Sequence, residues 1–183
     1  MIDQVIKSIH SFAELTEKEI EVFVSKLQLN EYKKGESLLS IGEINRVWGF
    51  IVKGSFREYY IDDELNEVTT NLFPVNHWVL NHQSFTGQKP SKVKIEAFEN
   101  SSVYEINIHD LHNLIGNSPA YFALGKIIES VNINASFKGT PEEKYQLLIR
   151  SKPEIIKTFT LKYIASYLEM TPETLSRVRN KIR

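Results

Sequence analysis

The stretch that decides the fold of the C-terminal part occupies residues 159–183 and reads FTLKYIASYLEMTPETLSRVRNKIR. Its first half repeats apolar residues at the three- and four-residue spacing of a short helix: Leu161, Ile164, Ala165 and Leu168. After a turn at residues 169–170, Thr171 is a good N-cap and Pro172 suits the first position of a second helix. That helix has an apolar stripe of its own: Leu175, Val178 and Ile182. The order of these features predicts a helix-turn-helix.

The outward face of the second helix is polar and basic. Six of its side chains are candidate DNA-binding residues: Glu173, Thr174, Ser176, Arg177, Arg179 and Lys181. A helix fits the major groove of B-DNA, where a carboxylate accepts from cytosine and a guanidinium donates to guanine. Glu173 and Arg177 are therefore expected to contact bases and the other four mainly phosphates, with Arg183 alongside. The alternative is a solvated helix whose basic residues suit its dipole.

Residues 164–179, IASYLEMTPETLSRVR, resemble the DNA-binding helices of the cyclic-AMP-receptor/fumarate-nitrate-regulator (CRP/FNR) family. That family reads DNA with a Glu-Thr-x-x-Arg pattern, which Glu173, Thr174 and Arg177 match. Two positions depart from the family: Pro172 stands where some members have a base-reading Arg, and Glu169 where the turn often carries Gly. The resemblance implies a transcriptional regulator with a winged-helix or helix-turn-helix domain, and not an enzyme.

Composition narrows the class of protein. The chain has 183 residues, 42% hydrophobic and 25% charged, which is typical of a soluble globular protein. It contains no cysteine, and this excludes disulfides, thiolate metal sites and cysteine-held iron–sulfur clusters. Apolar runs are short and the N-terminus lacks the pattern of a signal peptide, so a cytoplasmic protein without a membrane partner is expected.

Charge is distributed unevenly along the chain. Residues 138–183 hold ten Lys and Arg against five Glu, a local charge of +5. The remainder holds twelve of the 22 basic and eighteen of the 23 acidic residues, a local charge of −6. A basic end attached to an acidic body is typical of a nucleic-acid-binding module joined to a domain that does not bind DNA.

Upstream, the pattern changes from helical to β. Residues 1–27 are predicted to be helical, with a capping box from Thr16 to Glu19. Residues 29–108 consist of short alternating or β-branched runs, with turns at Gly35, Gly42 and Gly54 and a hairpin tip at 62–66. The predicted strands are 27–32, 37–41, 46–52, 55–61, 67–73, 92–98 and 102–108. They indicate an antiparallel barrel or sandwich.

This region also resembles the β-roll of the same family, the fold of cyclic-nucleotide-binding domains. The segments that carry the resemblance are YKKGE (32–36), GE (42–43), GFIVKGSFR (49–57) and IEAFENS (95–101). Together with the C-terminal helices, the resemblance covers nearly the whole chain.

Between these parts, residues 119–137 have a broad apolar face and are predicted to form one long helix. The face is wider than packing on one sheet requires, and in the family this helix pairs with its twin across a dimer axis. Residues 138–141, with Gly139 and Pro141, are the predicted hinge. A helix over 141–149 and a connecting turn over 152–157 are expected to follow.

The effector segment departs from the family pattern. Members that bind a cyclic nucleotide carry Gly-Glu and Arg-Ser or Arg-Thr in this segment, and residues 76–91 have neither. Cyclic AMP is therefore disfavoured, and no cofactor is assigned. The segment instead offers aromatic and neutral hydrogen-bonding side chains for an unknown small-molecule effector: Trp78, His82, Gln83, Ser84, Phe85 and Ser91. An equally open interpretation is that Trp78 and Phe85 only fill the core.

Two other functions fit this sequence less well. A metal-dependent enzyme of the cupin type needs a His-x-His pattern that this chain lacks, and no hydrolase or nucleotide-binding fingerprint occurs. The stronger competitor is a stand-alone ligand-binding or protein-interaction module whose C-terminal helices do not read DNA.

The sequence thus predicts an α+β protein with an N-terminal antiparallel, jelly-roll-like β-roll and flanking helices, a long dimerisation helix and a C-terminal helix-turn-helix domain. The expected boundaries are 1–115 for the sensor domain, 116–138 for the dimerisation helix and hinge, and 139–183 for the DNA-binding domain. The expected partners are double-stranded DNA with a palindromic operator and a second copy of the chain, with RNA polymerase as a further candidate.

Overall fold

The computed structural model describes residues 1–132 and 137–182. Two four-stranded antiparallel sheets face each other, and each buries one face against the other. The strands are β1 Gln28–Tyr32, β2 Ser37–Leu39, β3 Val47–Lys53, β4 Phe56–Ile61, β5 Glu67–Phe73, β6 Trp78–Val79, β7 Lys94–Ala97 and β8 Ser101–Asn107. One sheet has the order β1-β8-β3-β6 and the other β2-β7-β4-β5.

All seven predicted strands are confirmed, with ends displaced by no more than two residues. The predicted turn points are confirmed too, because Gly35, Gly42 and Gly54 all have positive φ, of 87°, 88° and 80°. Strand β6 and the short helix α3, His82–Gly87, were missed. Both are too short to show a periodic pattern in the sequence.

Alternation along β3 separates two apolar cores. Trp48 and Phe50 point to the helices that cover the first sheet, whereas Ile51 points to the second sheet. The covering helices are α1 Ile2–His10, α2 Glu17–Ser25, α4 Ile108–Asn117 and α5 Gly125–Asn132, with a 3-10 helix at Pro119–Leu124. The roll is therefore a three-layer unit of helices, sheet and sheet.

The N-terminal helices are anchored by the capping box and by a tryptophan pair. The hydroxyl of Thr16 accepts from the backbone N–H of Glu19, and the Glu19 carboxylate accepts from the backbone N–H of Thr16, as predicted. The rings of Trp48 and Trp78 stack with centroids 4.1 Å apart, and Trp78 Nε1 donates to Ser8 Oγ at 2.9 Å. The tryptophan pair therefore ties α1 to the first sheet.

The prediction of one long helix over residues 119–137 was wrong in its described part. Pro119–Leu124 is a 3-10 helix and Gly125–Asn132 a separate α-helix, while residues 133–136 lie outside the described residues. The broad apolar face is buried in this chain's own core, because Tyr121, Leu124 and Ile127 pack among the helices that cover the roll. The breadth of that face therefore does not by itself require a second copy.

The C-terminal part is a compact helical unit. It comprises α6 Pro141–Ser151, α7 Pro153–Thr158, α8 Leu161–Tyr167 and α9 Pro172–Ile182. Gly139 has φ +108° and precedes Thr140, whose side chain forms a capping box with Glu143 at the start of α6. The connecting turn predicted over 152–157 was wrong, since α7 fills it with a helix that begins on Pro153.

The turn between α8 and α9 is held by backbone hydrogen bonds. Met170 N donates to the Ala165 carbonyl and Glu169 N to the Ser166 carbonyl, both at 3.0 Å, which is the pattern of a Schellman motif. Glu169 has φ +55°, a left-handed conformation in which an L residue with a Cβ is strained. Thr171 Oγ1 accepts from Thr174 N, so the predicted N-cap of α9 is confirmed.

We expect Glu169→Gly to raise the free energy of unfolding by about 0.5–1 kcal/mol, because glycine adopts this conformation without the Cβ clash. Glu169→Ala is the matched control, since it removes the same carboxylate but keeps the Cβ. Urea denaturation of the three proteins measures the difference. Equal stability of the Gly and Ala variants would contradict the strain.

None of the helices in the described part of the chain is long and apolar enough to cross a membrane.

Candidate nucleic-acid interface and ligand cavity

Helix α9 separates an inner apolar side from an outer polar side. Leu175 and Val178 are buried in the C-terminal core. Four of the six predicted DNA-binding residues are exposed: Glu173, Ser176, Arg177 and Lys181. The other two, Thr174 and Arg179, are half-buried. Arg183 lies outside the described residues. All six residues therefore lie on one helix, and the apolar stripe of that helix is buried in the C-terminal core.

Three of these side chains are engaged within the chain, and one of them is Thr174, whose hydroxyl accepts from Thr171 Oγ1 at 3.2 Å. Lys181 Nζ donates to Glu142 Oε1 of α6 at 2.9 Å, and this contact holds the pKa of Glu142 below its usual range. The pKa of Glu173 is also lowered, first by its own backbone N–H, then by the Thr171 hydroxyl and, more weakly, by Arg177. Glu173 is thus kept ionised and able to accept hydrogen bonds.

The C-terminal helices dock on the roll through a buried arginine. The guanidinium of Arg57 on β4 lies between two tyrosine rings, 4.4 Å from the centroid of Tyr59 and 4.2 Å from that of Tyr163 on α8. Its Nε donates to Thr69 Oγ1 at 3.0 Å and its Nη1 to Glu67 Oε2 at 2.5 Å. The charge is paired with Glu67, although the Arg57 side chain is only 7% exposed.

Neighbouring contacts extend this docking surface. The backbone N–H of Thr69 on β5 donates to Ser166 Oγ of α8 at 2.9 Å. Phe98, which follows β7, packs against Phe159 and Tyr163 with ring centroids 5.0 and 5.5 Å apart. We call these contacts, with Arg57, the roll–α8 latch. No local sequence pattern reveals the latch, because its members lie far apart along the chain.

We expect Arg57→Ala to lower the free energy of unfolding by about 2 kcal/mol, through loss of two cation–π contacts and a charged hydrogen bond. Lys94→Ala is the control, because Lys94 also lies near Tyr59 but pairs with Glu96 instead of reaching α8. Chemical denaturation measures the difference, and faster proteolysis between roll and α8 should accompany it. Equal losses for the two variants would contradict the latch.

A cavity of about 200 Å³ lies inside the roll between β4, β5, α3 and α5. We call it the Glu58 cavity. It is lined by Glu58, Thr70, Asn71, Leu80, Asn81, His82, Gln83, Val93 and Val131. None of these described residues is a lysine or an arginine.

Glu58 is the buried carboxyl group of this cavity. Its side chain accepts from Thr70 Oγ1 at 2.7 Å and from Asn81 Nδ2 at 2.9 Å. Both donors are neutral, and burial raises the pKa of the carboxyl. At the rim, His82 Nε2 lies 3.1 Å from Glu129 Oε1.

A β-bulge shapes the wall beside Glu58. Glu58 pairs with Asn71 and Tyr59 with Thr69, so Thr70 is the extra residue of β5. The bulge brings the Thr70 hydroxyl to the carboxylate. No signal in the sequence distinguishes this threonine from its neighbour.

The six predicted effector residues do not surround one cavity. His82 and Gln83 line the Glu58 cavity, whereas Phe85 is buried under the helices that cover the roll. Ser84 Oγ donates to the Lys89 carbonyl and Ser91 Oγ to the Val93 carbonyl, so both hydroxyls hold the loop together. Glu58 was not among the predicted site residues, although a glutamate in a strand with four apolar or aromatic residues is a signal worth following.

Trp78 faces a second cavity of about 260 Å³, which also contains Lys152. Lys152 Nζ donates to Tyr167 Oη at 3.2 Å. Burial lowers the pKa of Lys152, and it raises that of Tyr167 to about 12. The two cavities share Asn71 and Val131.

The histidines show no metal site: within the ranges that the structure describes, no three His, Asp or Glu side chains converge on one point.

Comparison with known proteins identifies the type of domain that the roll forms. Residues 29–118 match the cyclic nucleotide-binding domain family. No curated protein matches the sequence of the chain.

Solved structures of regulators are similar in fold. FixK2 from Bradyrhizobium japonicum has a TM-score of 0.67 at 15% identity, covering 85% of this chain and 84% of that chain. The c-di-GMP-responsive global regulator CLP of Xanthomonas campestris has a TM-score of 0.61 at 16% identity, covering 91% of each. The Catabolite Activator Protein of Thermus thermophilus has a TM-score of 0.56 at 16% identity, covering 93% of this chain and 85% of that chain.

At these identities the likeness establishes the fold alone. Residues 29–118 therefore have the fold of a cyclic nucleotide-binding domain, and the chain as a whole is similar in fold to transcription regulators of the CRP/FNR type.

Proposed function

We propose that this chain is a DNA-binding transcriptional regulator of the CRP/FNR type, and that α9 is its reading helix. The observation that carries the proposal is the division of α9 into two sides. Leu175 and Val178 are buried, while Glu173 and Arg177 are exposed one turn apart on the opposite side. A helix with this division can enter the major groove without losing its own core contacts.

Within the groove, the exposed residues take different roles. Glu173 lies in the first turn of α9 and Arg177 one turn later, near the end where a recognition helix contacts base edges. Arg179 and Lys181 belong to its last turn and reach phosphates, as do Thr174 and Ser176. On DNA, Lys181 exchanges its exposed ion pair with Glu142 for a phosphate, which costs little because such pairs are weak.

We expect Arg177→Ala to cost roughly 1–3 kcal/mol of binding to the operator and to relax the choice at one base pair. Lys181→Ala should weaken binding to all sequences alike. Genomic footprinting with the purified chain finds the operator, and titration against operator and random DNA gives both affinities.

Glu142→Gln is the control for Lys181, because it frees the lysine without removing it, and it should not weaken binding. Equal losses on operator and random DNA for Arg177→Ala would contradict base reading. Failure to bind any DNA would favour a module whose C-terminal helices contact another protein.

We also propose that the regulator acts as a homodimer on a palindromic site. Two-fold symmetry would place two copies of α9 one helical turn of DNA apart, about 34 Å. Phe122 is the one large apolar side chain of described residues 119–131 that is exposed, at 68%. Phe122 can therefore form the apolar contact with a second copy, because the rest of the apolar face is buried within the chain.

We expect light scattering to give a dimer for the native chain at micromolar concentration and a monomer for Phe122→Glu. The introduced carboxylate would be desolvated without a partner in the interface. Leu65→Glu is the matched control, because Leu65 is 83% exposed at the tip of the β4–β5 hairpin. A native monomer, or a dimer that Phe122→Glu leaves intact, would contradict this interface.

Control by a small ligand in the roll completes the proposal. Such a ligand changes DNA affinity only if it binds two arrangements of roll and C-terminal helices unequally. The roll–α8 latch is the contact between those parts that a ligand would have to strengthen or weaken.

A further inference from the structure

We propose that the Glu58 cavity binds a small organic cation, such as an amidine or a primary amine, through the carboxylate of Glu58. This inference deepens the proposed ligand control by naming the chemical class of the ligand. It is independent of whether α9 binds DNA.

The first support is the buried carboxyl group of the cavity and the partners that it has. Glu58 is 5% exposed and its two hydrogen-bond donors, Thr70 and Asn81, are neutral. An ionised carboxylate can accept about four hydrogen bonds, so each oxygen keeps acceptor capacity. An organic cation supplies both the missing charge and the missing donors.

The second support is the absence of a competing cation among the described lining residues. Lys152 belongs to the neighbouring cavity, where its ammonium donates to Tyr167. His82 is directed to Glu129 at the rim, which adds a further carboxylate near the entrance. An anion entering this cavity would meet carboxylates without a fixed positive charge to pair it.

The third support is size. A volume of about 200 Å³ holds several water molecules, which is enough for a small amine or amidine. The polar lining, with Asn71, Asn81 and Gln83 beside Leu80 and Val93, suits a ligand with one charged end and a compact body.

The position of the cavity gives the ligand a route to the C-terminal helices. Glu58 directly follows Arg57 on β4, and Thr70 directly follows Thr69 on β5. Arg57 and Thr69 contact α8, whereas Glu58 and Thr70 line the cavity. A ligand that moves β4 and β5 would therefore change both the cavity and the contact with α8.

The test is calorimetric titration of the full chain, without DNA, with three probes of similar shape: benzamidine, benzamide and benzoate. Benzamidine should bind about tenfold more tightly than benzamide, because a charge-assisted hydrogen bond is stronger than a neutral one. Benzoate and cyclic AMP should not bind.

Glu58→Gln should abolish the preference for benzamidine over benzamide. Glu105→Gln is the matched control: Glu105 is also a buried glutamate held by neutral donors, Asn30 and Tyr32, but it does not line the cavity. This variant should keep the preference. In the native chain, the side-chain amide resonances of Asn81 and Gln83 should shift with benzamidine, which tests the site even if Glu58→Gln does not fold.

Three results would overturn the inference: no binding of benzamidine at millimolar concentration, benzoate binding as tightly as benzamidine, or a preference that Glu58→Gln leaves unchanged. A chain that binds operator DNA but not benzamidine would refute the ligand class alone. A chain that binds benzamidine but no DNA would refute the proposed function alone.

Discussion

The guanidinium of Arg57 is the contact on which the arrangement of the two halves depends. It is buried between Tyr59 of the roll and Tyr163 of α8, and it is paired with Glu67. A buried charge tolerates few arrangements, since any displacement that separates it from its partners leaves it desolvated and unpaired. Leu72 of β5 also belongs to the apolar core of the C-terminal helices, so the docking is both polar and apolar.

Strands β4 and β5 therefore serve two surfaces. Successive side chains of a strand point to opposite faces. The adjacent residues Arg57 and Glu58 therefore lie on different surfaces of β4, Arg57 at α8 and Glu58 at the cavity. The bulge at Thr70 preserves both surfaces, because it turns one extra hydroxyl to the carboxylate while Thr69 still meets Ser166. Coupling between the cavity and α8 needs no long path through the molecule.

The orientation of helix α9 relative to the roll is determined indirectly, through its neighbouring helices. It packs on α8 and α6, and the latch joins α8 to the roll. Lys144 of α6 reinforces the turn by donating to the Leu168 carbonyl at 3.0 Å. The strained Glu169 is tolerated because the surrounding hydrogen bonds determine the turn without a glycine.

Local sequence determined those parts of this protein that depend on a few neighbouring residues. The seven longer strands, the glycine turns, the capping box at Thr16 and the two C-terminal helices follow from periodicity and turn chemistry. Of the residues that line the Glu58 cavity, only His82 and Gln83 were predicted from the sequence. Tertiary structure alone decided the rest: the division of residues 119–132 into two helices, the burial of Trp78, the cavity around Glu58 and the latch. The physical reason is distance along the chain, since Thr69 and Ser166 are 97 residues apart and no local pattern records a contact between them.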